Sequence, residues 1–249
     1  MVLRAPSERE TLVYLWDFKS AGAETLHALS HFLCAEEKEH QNHFGQQSLR
    51  DRYTFCRAIL RWHLGTLLAA DPAAIAISTN ENGKPLLDTS AQTLHFNYSH
   101  SGDYVALAFN SAAEVGIDIE YTTRVRNFMG IAESYFSESE FAQMRAAPAA
   151  KQHALFYTIW TLKEAYLKAR GEGIFAGLDN FSFELGIDNP EAIKLATSLE
   201  PDRAKQRWHF SSTAPLAHYQ LAVAVRTGSQ QTVNTHIGNK EALLAQLNI

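Results

Sequence analysis

The sequence predicts an α+β protein built from two similar halves, and three observations lead to this fold class. Short apolar segments typical of strands alternate with helical patterns along all 249 residues. The stretch LHFNYSHSGDYVALAF near residue 100 has a counterpart, RWHFSSTAPLAHYQLAVAV, near residue 215, and each follows one long helical pattern. No Pro-rich or Ser-rich linker lies between the copies. We therefore expect the halves to pack closely, with a site at the seam between them.

The first half, residues 1–112, opens with TLVYLWDF (11–18), which predicts a strand. Helical periodicity follows at 22–33, 36–44 and 47–69, and the last of these helices ends before an Asp-Pro pair. IAIS (75–78) predicts a short strand. NENGKP predicts a turn because it combines Asn-Gly with Gly-x-Pro. LHFNYSHS and YVALAFN then predict two strands that are joined through residues 101–103.

The second half, residues 113–249, begins with EVGIDIE as a further strand. Ser137 and Glu140 have the spacing of a capping box for the helix SESEFAQMR, and a longer helix over 151–170 ends before Gly171. Strands are expected near 180–186, 192–198, 206–212 and 218–226, and NKEALLAQL predicts a closing helix.

The composition is that of a globular protein, with 46% hydrophobic and 20% charged residues. The net charge of -5 argues against a protein that grips a nucleic-acid backbone. The N-terminus has no signal-peptide pattern, and no apolar run is long enough to span a bilayer, so we expect a cytoplasmic protein without membrane contact. Cys34 and Cys56 fit no zinc pattern and are expected to be free thiols.

Two carboxylates mark the strand GIDIE. Asp118 and Glu120 share one face by the period of two, whereas Ile117 and Ile119 point to the other face. Like charges at this spacing repel each other unless the face is solvated or a cation lies between them. An exposed strand face is the alternative to a cation site.

The long helix of the second half carries a third carboxylate, Glu164, with Lys168 one turn further on. Trp160 and Leu167 lie on the same side as this pair, so the helix is apolar nearly all round and is expected to be buried. A buried Glu164 needs a partner, and it could join the two strand carboxylates as a ligand for Mg²⁺. The alternative is an ordinary Glu-Lys pair on a solvated face.

A magnesium-bound phosphate would attract cationic side chains. The candidates are Lys84, His100, Lys168, Arg52, Arg57 and Arg61. Each also has a purely structural alternative, as a solvated turn lysine, a hydrogen-bonded turn histidine or a helix arginine whose charged end reaches solvent.

Taken together, the segments GKP, FNYSHSGD, GIDIE, YFSESE and WTLKEAYLKARGEGI closely resemble the 4'-phosphopantetheinyl transferases of the surfactin-synthetase-activating type. The resemblance covers about residues 30 to 226. It implies a pseudo-dimer of two α+β halves with the active site at the seam. It also implies a monomeric Mg²⁺-dependent enzyme that moves the phosphopantetheine arm of coenzyme A to a serine of an apo acyl or peptidyl carrier protein and releases 3',5'-ADP.

The resemblance also implies roles for individual residues. Asp118, Glu120 and Glu164 correspond to the metal carboxylates, and Glu164 also corresponds to the general base, a role that a metal-bound water could share. Lys168 corresponds to the lysine that acts on the diphosphate and the leaving nucleotide. The coenzyme-binding positions are Lys84, Ser99, His100, Arg52, Tyr53 and Lys168. One departure is CAEEKEHQNHF, where Glu37 and His40 replace expected lysines, so we expect weaker or more pH-dependent coenzyme binding.

Two other functions stay open. A catalytically silent module that binds coenzyme A or a carrier protein would keep the fold without needing a base. A metal-dependent phosphohydrolase could use the same acidic trio, although nucleic-acid enzymes of that type usually have a basic surface. The sequence does not separate the fatty-acid, polyketide and nonribosomal-peptide types of carrier protein.

Overall fold

The computed structural model describes residues 3–88, 94–124, 126–173, 177–186, 193–197 and 208–247. The helices are α1 (Ala23–Ser30), α2 (Ala35–Gln41), α3 (Gln47–Leu68), α4 (Phe128–Tyr135), α5 (Glu138–Ala146), α6 (Ala149–Arg170) and α7 (Lys240–Leu247). The strands are β1 (Glu10–Asp17), β2 (Ile77–Thr79), β3 (Pro85–Leu87), β4 (His95–Ser101), β5 (Tyr104–Asn110), β6 (Val115–Tyr121), β7 (Phe181–Leu185), β8 (Ile193–Thr197), β9 (His209–Thr213), β10 (Tyr219–Val225) and β11 (Thr232–Gly238). Among these residues, no helix is both long and apolar enough to cross a bilayer.

A four-stranded sheet in the order β11-β1-β5-β4 contains three strands of the first half and β11 of the second, and α3 packs on one of its faces. Alternation along β1 separates the two faces. Leu12, Tyr14 and Trp16 pack against α3, whereas Val13 and Leu15 enter a different apolar cluster. This is the period-two pattern of a strand that is buried on both sides.

The second half is a three-stranded sheet in the order β6-β10-β9, with α6 packed on its outer face. Ile117 and Ile119 of β6 join Val13 and Leu15 of β1 in the cluster between the sheets. The layers are therefore helix, sheet, sheet and helix. The two helices that cover the sheets, α3 and α6, have 22 residues each.

The predicted α+β class is confirmed, and the predicted strands and helices that flank the site occur within a few residues of their expected bounds. The capping box of Ser137 and Glu140 is present at the start of α5. α6 ends at Gly171, which takes the left-handed conformation with φ of 73°. The predicted strand at 75–78 begins later, at Ile77. Residues 192, 198, 206 and 207 of two other predicted strands lie outside the described residues.

Three elements were not predicted, namely β3, α4 and β11. β11 pairs with β1 in parallel, from Glu10 opposite Thr232 to Trp16 opposite Gly238. Leu243 of α7 belongs to the core under α3. The division into residues 1–112 and 113–249 remains a proposal, and the chain from β11 onward packs on the first half.

Candidate active site

The site forms where α6 crosses β6, and Gly116 permits this crossing. A Cβ atom at Gly116 would lie 2.0 Å from the carbonyl oxygen of Ala165 and 2.4 Å from the backbone nitrogen of Ala169. Any larger residue would therefore push the helix off the strand. The close contact brings the C-terminal part of α6, which carries Glu164 and Lys168, next to Asp118.

A cavity of about 440 Å³ opens beside this crossing. The first half contributes Asn82, Gly83, Lys84, Pro85, Asn97, Tyr98, Ser99 and His100, and the second half contributes Asp118, Ile119, Glu120, Lys168, Gly171 and Glu172. Six of the residues that the sequence analysis selected thus share one cavity, and they come from both halves.

Asp118 is the centre of a hydrogen-bond network and is only 5% exposed. Its Oδ1 accepts hydrogen bonds from Ser99 Oγ at 2.9 Å and from Lys168 Nζ at 2.7 Å. Lys168 also donates to Ser99 Oγ at 2.9 Å. Asp118 Oδ2 is buried and has no hydrogen-bond partner. One oxygen of this carboxylate is therefore neutralised by Lys168, and the other is left without compensation.

Glu120 has a different environment from Asp118. Its Oε2 accepts a hydrogen bond from Ser101 Oγ at 2.8 Å, and the Arg126 guanidinium lies 3.7 Å from the same oxygen. Burial and the neighbouring Asp118 charge raise the pKa of Glu120 above its usual range, against the lowering effect of Ser101 and Arg126.

Glu164 is the least compensated carboxylate of the three. Its Oε1 is buried without a hydrogen-bond partner. Burial, followed by the charge of Asp118, raises the pKa of Glu164 to about 7, whereas Lys168 lowers it and Glu120 raises it. The three acids therefore interact electrostatically, and together they carry more negative charge than Lys168 can neutralise.

The donor set fits a hard divalent cation on two grounds. Asp118 and Glu164 each present a buried oxygen that no protein group satisfies, and carboxylate oxygens are the ligands that Mg²⁺ prefers. Within the described residues, no three His, Cys, Asp or Glu side chains are close enough to form a ready-made cage. The fit therefore depends on the unpartnered oxygens and on the excess charge. Lys168 is the cation that contacts Asp118 in this structure.

Lys84 also lines the cavity and links the two halves. Its Nζ donates to Glu114 Oε2 at 2.5 Å and to the Ala169 carbonyl oxygen at 2.8 Å, at the C-terminal end of α6. The Nδ2 atoms of Asn80 and Asn82, from the same turn, both donate to the carbonyl oxygen of Gly171. The NGKP turn therefore caps the C-terminal end of α6. This contact holds Lys84, the predicted phosphate-binding lysine, against the helix that carries Lys168.

His100 and Arg52 are close enough to interact. Burial lowers the pKa of His100 below its usual range, and the positive charges of Arg52 and Lys168 lower it further. Tyr53 does not line the same cavity. It borders a second cavity of about 580 Å³, together with His40 and Arg57. Arg57 hydrogen-bonds Tyr98, which lines the first cavity, so the two cavities adjoin.

The acidic departure at Glu37 has a structural explanation. Glu37 is 6% exposed and accepts hydrogen bonds from Arg57 Nε at 2.7 Å and from Arg61 Nε at 2.5 Å. Arg57 and Arg61, which the sequence analysis considered as phosphate ligands, are thus the counter-ions of a buried carboxylate. Their spacing of four residues on the largely buried helix α3 was the available signal for such a partner.

Comparisons with known proteins agree with this site. Residues 18–112 match the family model "4'-phosphopantetheinyl transferase, N-terminal", and residues 114–224 match the "4'-phosphopantetheinyl transferase superfamily" model. The 4'-phosphopantetheinyl transferase HetI of Nostoc sp. is 34% identical over 216 residues, which cover 86% of this chain and 87% of HetI. The 4'-phosphopantetheinyl transferase psf-1 of Bacillus pumilus is 35% identical, over 82% of this chain and 87% of psf-1.

Two further matches cover less of the chain. The 4'-phosphopantetheinyl transferase Sfp of Bacillus subtilis is 33% identical over 68% of this chain and 74% of Sfp. A holo-(acyl-carrier-protein) synthase from Bacillus anthracis str. Ames, solved with CoA (3',5'-ADP), is 21% identical over 47% of this chain and 100% of that chain, with a TM-score of 0.39. Identities above 30% along most of both chains, together with the two family models, show that this chain belongs to the 4'-phosphopantetheinyl transferase family.

Proposed function

We propose that this enzyme is a holo-carrier-protein synthase, which transfers the 4'-phosphopantetheine group of coenzyme A to a serine of an apo acyl or peptidyl carrier protein. One structural observation supports this function in addition to the family membership. The buried oxygens of Asp118 and Glu164 lack hydrogen-bond partners, and Asp118 lines, with Lys168, a cavity to which both halves contribute. Because a single chain supplies both walls of this cavity, we propose that the monomer is active.

The binding roles follow from position. Asp118, Glu120 and Glu164 would hold Mg²⁺, which would supply positive charge to the diphosphate of coenzyme A. Ser99, His100, Lys84 and Lys168 line the same cavity and would bind the diphosphate oxygens. Arg52, next to His100, and Tyr53, in the adjoining cavity, would lie along the nucleotide.

The reaction is a substitution at phosphorus. The carrier serine Oγ forms a bond to the phosphorus that bears the pantetheine arm, and the bond from that phosphorus to 3',5'-ADP breaks. Glu164 would accept the serine proton, a role that a metal-bound water could share. Lys168 would stabilise the negative charge that develops on the departing nucleotide.

The test is incubation with coenzyme A, MgCl₂ and a panel of apo carrier proteins of the fatty-acid, polyketide and nonribosomal-peptide types, followed by intact-protein mass spectrometry. We expect a gain in carrier mass equal to one phosphopantetheine group. Glu164→Gln and Asp118→Ala should each lower the rate about 10²-fold to 10⁴-fold while the protein stays folded. Glu184→Gln, which changes an exposed glutamate, is the matched control and should keep the wild-type rate.

The alternatives predict different results. Coenzyme A binding without any change in carrier mass would favour a binding module. Release of inorganic phosphate from nucleotides without a carrier would favour a phosphohydrolase. A wild-type protein that modifies none of the three carrier types would refute the proposed transfer.

A further inference from the structure

Three alternate side chains of β4 reach across the seam to β6. Asn97 Oδ1 accepts a hydrogen bond from the backbone nitrogen of Ile117 at 3.0 Å. Ser99 Oγ donates to Asp118 Oδ1 at 2.9 Å, and Ser101 Oγ donates to Glu120 Oε2 at 2.8 Å. The contacts advance in the same direction along both strands, so each of the two strand carboxylates has its own serine.

This ladder of side chains lies where the two sheets meet. β4 is the last strand of the first sheet and β6 is the first strand of the second, and the described strand pairings include no backbone ladder between them. Asn97, Ser99 and Ser101 are 4%, 8% and 3% exposed. Buried polar side chains therefore replace backbone pairing at the seam, and the register of these side chains sets where the carboxylates stand.

We infer that Ser101 is a positioning residue that fixes the Glu120 carboxylate for cation binding, and that Asn97 keeps β6 in register for it. The inference rests on the proposed role of Glu120 as a metal ligand. Outer partners of metal-binding carboxylates orient them, and their loss weakens metal binding.

The hydrogen bonds of Ser101 give this role a mechanism. Its hydroxyl oxygen accepts from the backbone nitrogen of Tyr121 at 3.0 Å and donates to Glu120 Oε2. With both functions engaged, the hydroxyl cannot rotate away without losing a bond. Glu120 also lines the cavity, so the bond at Oε2 leaves Oε1 as the oxygen available to a ligand. Arg126 is the competing partner, and without Ser101 it would be the remaining group at Oε2.

The experiment compares wild type with Ser101→Ala and Ser101→Thr in the full chain. Mn²⁺ binding is measured by electron paramagnetic resonance without substrates, and the Mg²⁺ concentration for half-maximal transfer is measured separately. Ser101→Ala should weaken Mn²⁺ binding and raise the Mg²⁺ requirement, each about 10-fold to 100-fold. Ser101→Thr keeps the hydroxyl and should restore both values to within about three-fold of wild type, as expected for an orienting bond.

Thr11→Val is the matched control for loss of a buried strand hydroxyl. Thr11 is fully buried and its Oγ1 accepts a hydrogen bond from Asn110, but it does not line the cavity. We expect Thr11→Val to leave the Mn²⁺ affinity and the Mg²⁺ requirement unchanged. Urea unfolding of each variant separates a lost fold from a lost ligand, and Ser101→Cys, nearly isosteric but a weak donor, replaces Ser101→Ala if the latter does not fold.

Different results would refute the role of Ser101 and the metal site itself. A folded Ser101→Ala protein with wild-type Mn²⁺ affinity and Mg²⁺ requirement overturns the role of Ser101 alone. A wild-type protein that binds no Mn²⁺ and transfers equally well in excess chelator overturns the metal site and this inference with it.

Discussion

Adjacent residues of α6 show two opposite ways to bury a charge. Lys163 is fully buried, and its ammonium donates to Glu140 at 2.8 Å and to the carbonyl oxygens of Leu178 and Phe181. Glu140 in turn accepts from the backbone nitrogens of Ser137 and Phe183. Every strong donor and acceptor of this pair is satisfied. On the next residue, Glu164, one carboxylate oxygen has no partner.

The difference separates structure from function. The buried pair of Lys163 and Glu140 has all of its hydrogen bonds and holds α5 and β7 against α6. It has no donor or acceptor left for a ligand. The three acids, with Lys168 at Asp118 and Arg126 at Glu120, still have unpaired oxygens and excess negative charge, which costs stability in the absence of a further cation. Such an imbalance is expected where a ligand completes the site.

The largest effect that would sharpen this contrast is on stability. Lys163→Met should lower the free energy of unfolding by about 3–5 kcal/mol, because it leaves Glu140 buried without its cation. Lys168→Met removes another lysine of the same helix, whose side chain is 28% exposed, and should cost only about 1–2 kcal/mol. Urea titrations at pH 7.5 measure both. Equal losses in the two variants would contradict the distinction between a closed pair and an open site.

Activity should show the reverse order. Lys168→Met should lose transfer almost completely, because Lys168 contacts Asp118 and lines the cavity. The fraction of Lys163→Met that stays folded should still transfer at a measurable rate, with the Mg²⁺ requirement of wild type. Rates are therefore compared per folded molecule at low temperature.

The second effect tests the open site through pH. In metal-free protein with excess chelator, Glu164→Gln should raise the free energy of unfolding at pH 8 by roughly 1–3 kcal/mol. The pKa of Glu164 is raised from its usual value of 4.5 to about 7, so the folded state binds the proton more tightly than the unfolded state does. Wild type therefore loses stability as the pH rises from 4.5 to about 7, whereas the glutamine variant does not.

The stabilities of the two proteins at low pH are the internal control of this measurement. Below pH 4.5 the two proteins should be about equally stable, because Glu164 is then protonated in both folded and unfolded chains. MgCl₂ at pH 8 should stabilise wild type more than the variant. A glutamine variant that is less stable than wild type at pH 8 in chelator would show that Glu164 is already satisfied.

The third effect concerns the ion pair of Lys84 and Glu114 at the seam. Glu114→Gln should lower the free energy of unfolding by about 1–2 kcal/mol at pH 7, because the Lys84 ammonium, with a side chain only 6% exposed, loses its counter-charge. Burial raises the pKa of Glu114, but His95 and Lys84 together lower it to about 2. This stabilisation is thus present above the usual carboxyl pKa and is lost as the pH falls towards 2. Glu138→Gln, at an exposed glutamate, is the control and should change little.

Local patterns predicted most of the fold. Alternation and length identified the strands around both long helices, and the capping residues placed the ends of α5 and α6 within two residues. β11 was not predicted, because its sequence TVNTHIG is mostly polar and Ile237 is 50% exposed. Its strand character comes from pairing with β1, more than 200 residues away, and no local signal reports such a contact.

The sequence likewise predicted only part of the candidate site. The period of two put Asp118 and Glu120 on one face, and the apolar surroundings of Glu164 indicated burial. The roles of Ser101 and Glu114 depend on contacts between halves that only the folded chain brings together. Glu37 was interpreted as a missing lysine, because the sequence alone did not assign Arg57 and Arg61 to it.

The smallest effect concerns the second cavity, where His40 stands in the place of an expected lysine. We expect His40→Lys to raise the affinity for coenzyme A at pH 8, measured by calorimetry, about three-fold, because it adds a fixed positive charge to the wall of this cavity. His40 packs against Tyr53 at 5.0 Å between ring centroids and borders the cavity that also contains Glu37 and Arg57. His40→Gln, which adds no charge, is the matched control and should change the affinity little. An affinity that His40→Lys leaves unchanged would show that Arg57 and its neighbours, and not position 40, set the charge of this cavity.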